Sequence, residues 1–139
     1  METLTVSTVI NAPINIVWEL WTTPEHIINW NFASPDWHCP KAENELSEGG
    51  VFRYTMAAKD GSVSFVFQGT YMHIADKESL VYHIEDGRKV IVLFTAEEGG
   101  VQITEVFEPE EVNSMELQLA GWQAILENFK RYVEGDQTL

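Results

Sequence analysis

Residues 115–133 read MELQLAGWQAILENFKRYV. Within them Met115, Leu119, Trp122, Leu126, Phe129 and Val133 step by 4, 3, 4, 3 and 4 residues, which keeps them on one face of a helix. Asn113, with Glu116 three residues later, has the form of a capping box, so the spacing predicts a helix over residues 113–134. A helix with one apolar stripe needs a second layer to bury that stripe against. The rest of the chain supplies a sheet.

From Lys41 to Glu108, short alternating runs are separated by Gly49-Gly50, Asp60-Gly61, residues 75–79, Asp86-Gly87 and Gly99-Gly100. Asp-Gly and Gly-Gly dipeptides supply the positive φ that tight turns need, so the region reads as six strands of an antiparallel meander. Alternation puts Phe52, Tyr54 and Met56 on one face, and likewise Phe65, Phe67, Gly69 and Tyr71, then Leu80, Tyr82 and Ile84, then Val90, Val92 and Phe94. A bulge would flip any of these sets. Ahead of the meander, Leu4, Val6 and Ile10 alternate with polar residues in a first strand. Ile14, Val17, Trp18 and Trp21 then mark a helix entered at Pro13, and Thr23-Pro24 restarts the helical count for a second short helix carrying Ile27, Ile28 and Trp30. Residues 32–40 contain Pro35 and Pro40 and fit neither period, which predicts a loop. The expected architecture is α+β: a curved seven-stranded antiparallel sheet around a long C-terminal helix, in a single domain over residues 1–139.

Charge narrows the partners. Eight basic against 22 acidic residues give a net charge of −14, which repels phosphate backbones and anionic lipid heads, so neither nucleic acid nor a membrane surface is expected. Residues 97–139 carry ten acids against Lys130 and Arg131, a solvated acidic face or a docking surface. The single cysteine, Cys39, rules out an internal disulfide. Neither a signal peptide nor a long apolar span is evident, and a cytoplasmic location is expected.

Several segments resemble a known family. Trp30-Asn31-Phe32-Ala33-Ser34 with Asp36-Trp37-His38-Cys39-Pro40, Thr104-Glu105-Val106-Phe107-Glu108, and the helix signature from Gly121 to Lys130 with Gln118 one turn earlier are similar to the bacterial homologues of the heat-shock-protein-90 ATPase activator C-terminal domain. These lie within the START-like, or SRPBCC, superfamily. The resemblance implies the helix-grip (Bet v-like) fold and a hydrophobic cavity between helix and sheet that holds a small apolar or amphipathic ligand. It also implies two lesser alternatives, an enzyme of the polyketide cyclase type using the same cavity, and a chaperone-interacting module. The eukaryotic namesake stimulates its chaperone with an additional domain not found in these 139 residues, which argues against the second.

Among chemistry-bearing residues Glu105 stands out, because alternation places it with Val101, Ile103 and Phe107. A carboxylate aimed into an apolar cavity is costly unless it is paired or neutral. Pairing with Arg53, or a bulge that turns it to solvent, would make it structural; otherwise it is the candidate acid or base, with Tyr54 or His73 orienting substrate. The expected ligand-binding set is Trp30, Tyr54, Phe65, Phe67, Tyr82, Glu105, Gln118 and Trp122, since Trp and Tyr join a large apolar body to one polar handle. Asp36 and His38 are candidates for the rim. His38 and Cys39 are adjacent, which suits neither a metal site nor a nucleophile with its base, so no metal and no cofactor are expected.

Overall fold

Residues 2–137 are described by a computed structural model of the chain. Thr and Val alternation makes β1 (Leu4–Ile10), which buries Val6 and Ile10. Pro13 then opens α1 (Ile14–Thr22). Thr23 is extended and Pro24 starts a new turn, which separates α1 from α2 (Pro24–Ile27). Thr23 stands at the N-cap of α2 but makes no side-chain capping bond. Of the residues expected on this helix pair's buried side, Ile27 and Trp30 are buried while Ile28 is exposed. The Trp30 indole Nε1 donates to the Leu20 carbonyl at 3.0 Å, which satisfies its one polar atom inside the core.

Six strands follow: β2 (Trp37–Asn44), β3 (Val51–Ala58), β4 (Ser64–Ala75), β5 (Ser79–Ile84), β6 (Lys89–Glu97) and β7 (Gly100–Phe107). Each pairs antiparallel with the next, and β1 returns to pair with β7, giving the order β1-β7-β6-β5-β4-β3-β2. The curved sheet forms a half-barrel around α3 (Met115–Gln137), the helix-grip α+β fold. The four alternating sets from β3 to β6 all turn toward the core side, with Phe65 the most exposed member.

Four expectations need correction. Trp37 to Pro40 is not loop: it begins β2, an edge strand whose register shifts between His38 and Lys41. That irregularity accommodates Pro40, which lacks the N–H of a regular ladder. The cap of α3 is Ser114, whose Oγ accepts the Leu117 N–H at 3.1 Å, whereas Asn113 donates its own N–H to Glu110. Met115 therefore falls in an overhanging first turn, 40% exposed, and the buried stripe runs through Leu126, Phe129 and Val133. Finally, β4 carries an extra residue between Tyr71 and His73, so His73 lies outside the cavity beside Glu48, at 3.2 Å.

Helix α3 also covers one of the two edges of the sheet, that of β1. Gln123 Nε2 donates to the Ser7 carbonyl at 3.1 Å, Lys130 Nζ donates to the Val9 carbonyl, and Glu134 accepts the Asn11 N–H at 2.9 Å. These bonds satisfy backbone groups that an edge strand would otherwise offer to another chain.

Candidate functional site

Between α3 and the concave face lies a cavity of about 330 Å³. Its floor is aromatic because β3, β4 and β5 present rings at successive inward positions. Phe52 is the hub: its ring centroid lies 4.9 Å from Tyr54, 5.4 Å from Tyr71 and 4.8 Å from Tyr82. Gly69, paired opposite Phe52, makes room for that hub, since a Cβ there would sit 2.5 Å from the Phe52 ring. The roof is α3. Trp122 stacks face to face on Phe107 with centroids 4.0 Å apart and interplanar angle 7°, and meets Phe67 edge-on at 6.3 Å. Trp21 and Trp30, 4.9 Å apart, close one end. Gly121 faces the cavity from the helix, and an added Cβ there would meet nothing within 4 Å.

Polar groups are few and placed in two sets. Tyr71 donates its hydroxyl to Asn44 Oδ1 at 2.7 Å, Asn44 Nδ2 donates to the Thr22 carbonyl at 2.7 Å, and Tyr54 hydrogen-bonds to the Tyr71 hydroxyl. Burial pushes the Tyr71 phenol up to about 12 and those of Tyr54 and Tyr82 well above the ordinary range, so all three are neutral donors. The second set is Glu105 alone. It is 6% exposed, its register with β1 and β6 is unbroken, and its partners across the ladders are Val6 and Val92. No hydrogen bond or ion pair to its carboxyl is found among the described residues; its oxygens open on the cavity rather than being sealed in the core, Tyr82 lies close enough for the two groups to interact, and burial pushes the carboxyl up to about 8. Arg53, its possible partner by sequence, is exposed and donates instead to Gln68 at 3.1 Å.

All eight expected residues border this cavity. Phe65 does so from the mouth, half in solvent and 5.9 Å from Trp37. Gln118 is present with its amide already engaged: Oε1 accepts the Glu110 N–H at 2.9 Å, and Nε2 donates to the Glu110 and Asn113 carbonyls. It pins segment 108–114 over the cavity, in the manner of a strut. Asp36 and His38 are not among the lining residues, and Asp36 accepts the Ser34 hydroxyl at 2.6 Å. Cys39 is buried, its thiol pushed up to about 11 by burial. Among the described residues no three His, Cys, Asp or Glu side chains gather as a metal site requires.

Sequence reasoning missed Asn31, Arg88 and Glu110, which also line the cavity. Arg88 follows the Asp86-Gly87 turn, where Gly87 has φ +95°, and its Nε lies 2.8 Å from Asp86. No periodicity could reveal it, because a turn side chain is aimed by the turn rather than by strand alternation.

Comparison with known proteins matches residues 11–134 to the family described as Activator of Hsp90 ATPase homolog 1-like protein. The solution structure of an AHSA1-like protein from Aeromonas hydrophila is 40% identical, with TM-score 0.93 over 99% of this chain and 96% of that one. A protein from Cytophaga hutchinsonii is 48% identical, with TM-score 0.83 over 98% of this chain and 94% of that one. A Nitrosomonas europaea protein shares the fold at 17% identity and TM-score 0.82, over 99% and 97% of the two chains. No curated protein matches the chain.

Proposed function

This chain belongs to the family of Activator of Hsp90 ATPase homolog 1-like proteins, and from that premise we propose that it binds a small apolar or amphipathic molecule in the cavity under α3. The observation that carries this reading is the cavity itself, about 330 Å³ walled by aromatic rings, with only a few polar groups turned into it. A packed core would have filled such a space, since protein interiors leave few voids larger than a water. Pockets that hold small ligands have this composition: apolar walls for affinity and a few placed polar groups for orientation.

The expected result is that compounds from a lipid and aromatic library raise the melting temperature, because a ligand that binds only the native state stabilises it by mass action. Binding should also change Trp122 fluorescence, and mass spectrometry of the purified protein should find the bound species. A library that gives no shift, together with an unchanged Trp122 signal, would refute the reading.

A second reading is favoured by Glu105: a cavity enzyme of the polyketide cyclase type would use a carboxyl titrating near neutrality as its acid or base. A chaperone module gains less support. Two of the acids that would form its docking face have duties at home, Glu108 accepting the Lys89 N–H at 2.7 Å and Glu110 the Asn113 N–H at 2.6 Å. No helix among the described residues is long and apolar enough to cross a membrane. A cytoplasmic site of action is part of the proposal and is supported by the single cysteine, Cys39, which suits a reducing compartment.

A further inference from the structure

Resting on the cavity-binding reading above, we infer that the ligand is an apolar organic cation: an amine whose ammonium group meets Glu105 and whose body lies against the aromatic walls. A carboxyl without a partner in an apolar chamber holds its proton and stays neutral until a cation enters to pair with its ionised form. Glu105 is in that position, 6% exposed and aimed into the cavity from the middle of β7. No side chain of the described residues supplies the counterpart.

The groups that face it from each neighbouring element are neutral or already engaged. β1 and β6 present Val6 and Val92. β5 presents Tyr82, β3 and β4 present Tyr54 and Tyr71, and none of these phenols carries charge. From α3 come Trp122 and Gln118, whose amide is engaged with segment 108–114. Of the two other charged groups lining the cavity, Arg88 is tied to Asp86 and Glu110 to Asn113.

Three features of the molecule favour a cation over a neutral hydrogen-bond acceptor. The cavity is lined by aromatic rings, Phe52, Phe67 and Trp122 among them, and an aromatic ring offers an ammonium group the negative side of its quadrupole, which a carbonyl oxygen does not gain from. An ammonium is a donor without an acceptor, the complement of an ionised carboxylate. The net charge of −14 raises the local concentration of cations and lowers that of anions.

The two ligand chemistries predict opposite responses to pH. A cation engages the ionised carboxylate, so binding releases a proton and its affinity rises as pH passes through about 8, levelling off above it. A neutral acceptor engages the protonated acid, and its affinity falls over the same range. For the cation, the growth in the ionised fraction between about pH 6.5 and about pH 8.5 corresponds to roughly a twenty-fold gain in affinity.

The test is calorimetric titration with a homologous series of ω-phenylalkylamines and the matching ω-phenylalkanols, at both pH values, on the wild type and on Glu105→Gln. The expected result is that amines bind more tightly than alcohols, that their affinity rises roughly twenty-fold with pH while the alcohols' does not, and that Glu105→Gln loses both differences yet still binds the alcohols. Alcohols binding with amines excluded, or amines keeping their pH dependence in Glu105→Gln, would overturn the cation and leave the cavity reading standing. Binding of neither series to the wild type would overturn both.

Discussion

Glu105→Gln should make the protein more stable at pH 7 by roughly 3 kcal/mol, a large share of the 5–15 kcal/mol typical of a domain. The wild-type carboxyl is buried among Val6, Val92, Ile103 and Phe107, and burial raises its folded value to about 8 against an ordinary 4.5. A carboxyl with a raised folded value binds more protons native than unfolded. Its penalty is therefore absent below about pH 4.5, grows as pH rises, and is complete above about pH 8. Glutamine keeps the shape and carries no charge, so its advantage should vanish near pH 4. Urea unfolding of both proteins at pH 4 and pH 7 measures the difference directly. A variant less stable than wild type at pH 7 would mean that Glu105 has a stabilising partner after all.

Gly121→Leu should abolish ligand binding without cost to the fold. Glycine is a poor helix residue, about 1 kcal/mol worse than alanine in a helix interior, so its replacement favours α3. The position borders the cavity, and a Cβ built there meets nothing within 4 Å, so the new side chain enters the 330 Å³ that a ligand would occupy. The leucine also buries apolar surface against the aromatic floor. The expected outcome is a melting temperature equal to or above that of wild type, together with at least a hundred-fold weaker binding of any compound that shifts the wild type, an order-of-magnitude loss for a blocked site. Binding that survives the substitution would locate the ligand elsewhere.

Much of this site was legible in the sequence because strand alternation and helical periodicity are geometric. The inward aim of Glu105 follows from Val101, Ile103 and Phe107 on the same side of an unbroken β7, and the roof position of Trp122 follows from the stripe that ends at Val133. What escaped were the places where geometry departs from the period. His73 shares parity with Tyr71, and only the extra residue between them turns it away from the cavity. Trp37 to Pro40 reads as loop because proline is foreign to a central strand, yet β2 is an edge strand with a register shift that tolerates it. Met115 satisfies the helical spacing but precedes the point at which α3 reaches the sheet. Arg88, Asn31 and Glu110 reach the cavity from turns and loops, whose side-chain directions depend on tertiary contacts such as the Arg88–Asp86 pair and the Gln118 strut.

The most direct test of a ligand chamber beneath α3 is a set of intermolecular nuclear Overhauser contacts between a bound ω-phenylalkylamine and the isotope-labelled protein. The account predicts contacts from the probe to the Trp122 indole in the roof and to the rings of Phe52 and Tyr82 in the floor. Contacts confined to exposed apolar side chains such as Val112, Leu117 or Val63, with none to Trp122, would contradict it.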